Sequence, residues 1–219
     1  KGDWPPKKPG VINYFRALRN LIEAHRTAYR VIRKIRPQSQ VGIAKNNSYF
    51  EGHGASAVLA MIARWWWNFY FLNKISGSQD FIGLNYYFHN RIRGLRFNQN
   101  ENRETTDMGW EIYPEGIYHC LRELKRYRKP IYITENGLAD ASDIKRAKFI
   151  EAHVKQIARA MNEGADIRGY LHWSLIDNFE WTHGFGPRFG LVGINYATME
   201  RTIRPSAFVY KGIIEQNRG

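Results

Sequence analysis

A chain of 219 residues with 43% hydrophobic side chains can build one sizeable core, and its single cysteine, Cys120, excludes an internal disulfide and a cysteine metal cluster. The 33 basic against 20 acidic residues leave a net charge of +13, but the basic side chains run along helical stretches without zinc-finger spacing or an RNA-binding aromatic motif, so no nucleic-acid partner is expected. No run of about 18 apolar residues occurs, so no membrane span is expected; the lone thiol and the lack of a secretory leader fit a cytoplasmic location.

Residues 1–10 are rich in Pro and Gly and read as loop. Apolar residues at 11, 15, 18, 22, 29 and 32 keep a helical spacing over 11–35, and Pro37 stands just beyond. A short strand is predicted at 41–44, an apolar helix at 55–72 and a strand at 80–87. Residues 90–108 are polar and loop-like. A helix at 116–128, a strand at 130–134, a long helix at 143–161, a strand at 167–174 and a final helix at 205–216 complete the series. Strands that alternate with helices of this length imply βα units and a parallel sheet. Four such units suit half of an eight-stranded barrel or an open four-stranded sheet.

Two stretches concentrate chemistry. The run Ile131-Tyr132-Ile133-Thr134, led in by Pro130, ends in Glu135, Asn136 and Gly137. It reads as a buried strand that delivers a carboxylate to its C-terminal tip, where a turn begins. Further on, 170–181 brings Trp173, Asp177, Glu180 and Trp181 together. Acids at strand ends beside aromatic faces suit carbohydrate chemistry. A lone acid at a strand end is more often a surface residue, and a tryptophan more often core, so residue types alone leave the function open.

The motifs are more specific. Asp80-Phe81-Ile82-Gly83-Leu84-Asn85-Tyr86-Tyr87, Gly109-Trp110-Glu111-Ile112-Tyr113-Pro114, Tyr132-Ile133-Thr134-Glu135-Asn136-Gly137, Trp173-Ser174-Leu175-Ile176-Asp177-Asn178-Phe179-Glu180-Trp181 and Arg188-Phe189-Gly190 follow one another in this order. The chain resembles, from about Trp4 onward, the C-terminal half of glycoside hydrolase family 1, the β-glucosidase and β-glycosidase family. The resemblance implies an α/β protein of the (β/α)8 TIM-barrel class, with residues 1–219 as the C-terminal half of a single catalytic domain supplying strands five to eight. It implies a retaining glycosidase acting on β-glucosides and related β-glycosides, with Glu135 as the nucleophile that forms a glycosyl-enzyme ester. Tyr87 would hydrogen-bond Glu135, and Asn85 would face the same region. Trp173 would lie under the sugar ring, Glu180 would accept from two adjacent hydroxyls, and Trp181 belongs to the same glycone pocket. Phe189 would close that pocket, and Trp110 would form an aromatic wall on the leaving-group side.

The chain departs from the family pattern in two places. The family's acid/base is a glutamate in an Asn-Glu-Pro motif, which does not occur here. Lys1-Gly2-Asp3-Trp4-Pro5-Pro6 resembles the loop that follows it. Retention needs two carboxyl groups about 5–5.5 Å apart, and Glu135 supplies one. The expected partners are therefore a β-glycoside substrate and an N-terminal half-barrel fragment carrying the acid/base. The alternative is a non-catalytic half-barrel that binds sugar or self-associates. Secondly, the connection at 72–79 is shorter than the family's, which leaves the aromatic run at 65–71 less covered. Such a run is usually core or interface; a flat apolar ligand such as a porphyrin is the other occupant considered. No cofactor is expected for catalysis. His25, His53, His119, His153 and His183 show no paired metal spacing, so no catalytic metal is expected and these rings are read as solvated or capping. His172 should point outward by strand alternation.

Overall fold

The computed structural model describes residues 5–217; Lys1 to Trp4, with which the resemblance to the strand-four loop begins, lie outside them. Four strands, β1 (Gly42–Gly52), β2 (Phe81–Ile92), β3 (Ile131–Asn136) and β4 (Ile167–His172), form one parallel sheet in sequential order. Helix α1 (Val11–Ile35) precedes β1; α2 (Ser56–Arg64) and α3 (Tyr70–Ile75) follow it. Helix α4 (Glu115–Leu124) follows β2, and α5 (Arg146–Asn162) follows β3. An antiparallel hairpin of β5 (Val192–Ile194) and β6 (Arg201–Ile203) leads from β4 into α6 (Pro205–Gln216). The alternation expected from the sequence is therefore present, with the hairpin added.

Alternation along the strands gives the sheet two unlike faces. Ile82, Leu84 and Tyr86 of β2 and Ile131 and Ile133 of β3 are buried in one cluster with Leu72, Ile117, Leu121 and Leu124 from the helices. The opposite face carries Ala44, Gly83, Tyr132 and Leu171, and Leu171 is 60% exposed. Parallel sheets are ordinarily covered on both faces. Here the helices cover one, and among the described residues β1 and β4 each pair along a single edge. No helix among the described residues is long and apolar enough to cross a membrane.

Several boundaries differ from the sequence expectation. The strand expected at 41–44 runs on through the mostly polar stretch Lys45 to Gly52, and β2 runs on to Ile92 into a segment read as loop. The two extensions pair with each other, so backbone hydrogen bonding sustains them where side-chain patterning is silent. The helix expected over 55–72 is interrupted by a π-helical turn, Trp65–Phe69. Within that turn Asn68 is buried; its Nδ2 donates to Ser48 O at 2.9 Å, and its Oδ1 accepts from Ser48 N at 3.1 Å. Trp65 and Trp67 beside it are 49% and 45% exposed. Helix α5 starts at Arg146 because Asp143 sits at φ 61°, where its carboxylate binds the Ser206 amide at 2.9 Å and the Arg146 guanidinium.

The reading of the histidines as solvated or capping holds for His53 and His183, which are exposed, and is corrected by the packing for others. His153 is fully buried, its Nδ1 2.8 Å from Phe149 O, because it lies on the core side of α5. His119 stacks on Tyr49 at 4.4 Å, and His25 Nε2 lies 2.7 Å from Ser78 O. His172 points away from the open face, as alternation requires, and is buried near Phe149 and Tyr210.

Candidate active site

Chemistry gathers at the C-terminal ends of β3 and β4 and in the middle of β2, where its pairing with β3 ends. Asn136, fully buried, ties the three together: its Nδ2 donates to Tyr86 O at 2.8 Å, and its Oδ1 accepts from the Tyr170 hydroxyl at 3.1 Å. The β2–β3 register shifts after Leu84, so that Asn85 pairs with Glu135 rather than Thr134. Thr134 Oγ1 instead donates to Asn85 Oδ1 at 2.6 Å. Glu135 is thereby placed where the Tyr87 hydroxyl donates to its Oε2 at 2.8 Å. Burial, then the charge and the hydrogen bond of Glu135, push the Tyr87 phenol far above its ordinary value. It stays protonated and remains a donor.

The segment after β4 is anchored to the same strand ends. Trp173 N donates to Asn136 O at 2.9 Å, and the Trp173–Ser174 peptide is cis. A β-carbon on Gly137 would lie 1.7 Å from Trp173 O, so this close approach requires glycine. Ser174 N donates to Phe189 O at 3.1 Å, and Leu191 N to Ser174 O at 2.9 Å. Buried Asp177 organises the rest: it accepts from Gly190 N at 2.9 Å, Ile194 N at 3.2 Å and both terminal nitrogens of Arg204 at 3.0 Å. Burial pushes the Asp177 carboxyl up, but Arg204 and the backbone N–H groups outweigh it and hold the carboxyl low.

This frame carries four of the expected pocket residues. Glu180 is partly buried, and its carboxyl is raised by burial first and also by the Glu135 charge, with His183 opposing. Glu180 and Glu135 thus lie within electrostatic range. Phe189 is buried, 6.2 Å from the Trp110 ring. Trp110 stands edge-on to Tyr87 at 5.9 Å and to Phe88 at 4.7 Å. Trp173 joins through its backbone. Trp181 is 63% exposed at φ 44°, in the short turn after Glu180. The structure therefore gathers Glu135, Tyr87, Asn85, Trp110 and Phe189 directly and holds Trp173 and Glu180 on the adjoining segment.

Sequence reasoning did not single out Thr134, Asp177 as an anchor, or His89 with Glu51 and Glu111. Asp177 lies inside a quoted motif, but its partner Arg204 is 27 residues away, and no local pattern links them. Among the described residues, no three His, Cys, Asp or Glu side chains group as a metal site.

The sequence profile of glycosyl hydrolase family 1 matches residues 70–219. The chain is 36% identical over 234 residues to a β-galactosidase of Sulfolobus acidocaldarius, covering 90% of this chain and 47% of that protein. It is 32% identical over 253 residues to β-glucosidase A of Thermotoga maritima, covering 93% of this chain and 56% of that protein. A hyperthermophilic β-glucosidase from Pyrococcus furiosus superposes with a TM-score of 0.91 at 35% identity, over 97% of this chain and 49% of that one. A family 1 β-glucosidase from Thermotoga maritima superposes with a TM-score of 0.90 at 30% identity, over 99% and 60%. The chain spans about half the length of the curated relatives it matches. Its four βα units correspond to half of a (β/α)8 barrel, and the uncovered sheet face is the barrel interior. With its profile match across the site and its superposition on these β-glucosidases, the chain belongs to glycosyl hydrolase family 1.

Proposed function

We propose that this chain is the nucleophile-bearing half of a retaining β-glycosidase that hydrolyses β-glucosides and related β-glycosides. The observation that carries the reading is the Tyr87–Glu135 hydrogen bond, 2.8 Å long, which joins the middle of β2 to the C-terminal end of the adjacent parallel strand β3. Glu135 attacks the anomeric carbon, the leaving group departs, and a glycosyl-enzyme ester forms; water then releases the sugar. Tyr87 holds one carboxylate oxygen and leaves the other to attack. By donating to Oδ1, Thr134 fixes the Asn85 amide beside Glu135. Glu180 offers two acceptor oxygens to adjacent hydroxyls, with Trp173 and Trp181 as apolar faces for the sugar ring. Phe189 closes the pocket and Trp110 borders the leaving group. Relatives named β-galactosidase and β-glucosidase support a glycone of this class.

The general acid/base comes from a segment outside this chain, an N-terminal half-barrel. The open sheet face and the singly paired edges of β1 and β4 are the surfaces it covers. The test is hydrolysis of p-nitrophenyl β-glucoside by a preparation shown by denaturing mass spectrometry to contain this chain alone, and then with the complementing half added. The expected result is no turnover alone, turnover on complementation, and its loss in Glu135→Gln. Turnover retained in Glu135→Gln overturns the nucleophile assignment. Turnover by the isolated chain overturns the need for a second segment.

A further inference from the structure

A cavity of about 310 Å3 opens beside Tyr87, with Phe88, Trp110, Glu111 and His89 among its walls. The His89 side chain is fully buried, and both ring nitrogens face carboxylates. Nε2 lies 2.8 Å from Glu51 Oε2, and Nδ1 lies 2.6 Å from Glu111 Oε2. Each ring nitrogen thus has a glutamate as its partner, so one imidazole bridges the two side chains. Tyr113 stacks on the ring at 3.9 Å and Tyr49 at 5.4 Å. Arg91 Nε donates to the same Glu51 oxygen at 3.0 Å, and the second oxygen of Glu111 accepts from Asn102 N at 3.0 Å.

These contacts join three parts of the chain. Glu51 and Tyr49 stand on β1 and His89 on β2, while Glu111 and Tyr113 belong to the loop that carries Trp110. A buried ionic cluster adds little net stability, because desolvation offsets the attraction; what it imposes is geometry. The residue so constrained, Glu111, adjoins Trp110, whose ring meets Tyr87 and Phe88.

We propose that His89 is a positioning residue for the leaving-group side of the site. By holding Glu111 against β1 and β2, it fixes the Trp110 ring beside Tyr87 and sets how strongly flat, apolar leaving groups are bound. This rests on the proposed roles of Glu135 and Trp110.

The test uses the complemented enzyme. Gln at position 89 has no pair of polar atoms on opposite sides of a rigid ring with which to bridge both carboxylates. His89→Gln is expected to raise KM for an aryl β-glucoside about 10-fold or more, the scale of a lost apolar contact. It is expected to change KM for methyl β-glucoside, which is too small to reach Trp110, less than about 2-fold. In a Trp110→Ala background the His89→Gln effect should disappear. Independently of turnover, the fluorine NMR line of Trp110 in 5-fluorotryptophan-labelled protein, assigned through Trp110→Phe, should shift or broaden in His89→Gln. Should that variant fail to fold, Glu111→Gln is expected to move the same line. An equal KM change for both glycosides, persistence of the effect without Trp110, or an unmoved fluorine line overturns the proposal. Absence of turnover on any β-glycoside overturns the functional reading, and the fluorine line still decides the role of His89.

Discussion

The phenol of Tyr87 reaches Oε2 of Glu135 at 2.8 Å from a position that pairing with the neighbouring strand skips. The register passes from Asn47 with Tyr86 to Ser48 with Phe88, leaving Tyr87 as the extra residue. A bulge of this kind re-aims a side chain, here toward the next strand. Hydrogen bonds to charged groups contribute about 1.5–3 kcal/mol. Tyr87→Phe in the complemented enzyme should therefore lower kcat about 10- to 100-fold, measured on p-nitrophenyl β-glucoside, with the fold retained by circular dichroism. An unchanged kcat would remove Tyr87 from the mechanism.

Gly137 and Trp173 make a second close approach. A methyl group at Gly137 would meet Trp173 O at 1.7 Å, and backbone cannot yield as a flexible side chain does. Gly137→Ala should destabilise the chain by about 1–3 kcal/mol, the range for overpacking, and should weaken sugar binding by displacing Trp173. Urea unfolding reads the first effect and calorimetric titration of a glucose-derived inhibitor the second. Wild-type values in both would show that the two strand ends are farther apart than described.

Asp177 and Arg204 anchor the segment that bears Glu180, Trp181 and Phe189. Removing one member of a buried, hydrogen-bonded ion pair costs about 3–5 kcal/mol because the other charge is left without a partner. Asp177→Ala should lower the urea midpoint accordingly, and limited proteolysis should cut within 178–190 sooner than in the unsubstituted chain. Equal midpoints would show that the pair is dispensable.

Two buried histidines give stability an acid dependence. Burial lowers His153 from 6.5 to about 4. Burial, followed by the charges of Arg146 and His153, lowers His172 from 6.5 to about 3. Between these values and 6.5 the unfolded chain binds more protons than the folded one, so stability rises with pH across that window. The contribution is complete above pH 6.5 and is lost as pH falls toward about 4 for His153 and about 3 for His172. Urea midpoints should drop from pH 7 to pH 5, and His153→Gln should flatten the drop. A slope unaltered by that substitution would assign the acid sensitivity elsewhere.

The β-branched run into Glu135, the glycine after Asn136 and the spacing of apolar residues in α1 are local patterns. They give strand-and-helix alternation and a carboxylate at a strand tip, while the resemblance to the family rests on the longer motifs between Asp80 and Gly190. The polar ends of β1 and β2 were illegible because pairing between strands, not side-chain periodicity, keeps them extended. His89 meets Glu51 across 38 residues and Glu111 across 22, and Asp177 meets Arg204 across 27. Such partnerships depend on register shifts and on which strand lies beside which, so tertiary structure alone decides them. The open sheet face was decided in the same way: side-chain order specifies that the strands alternate, but only the packed helices show which face is covered.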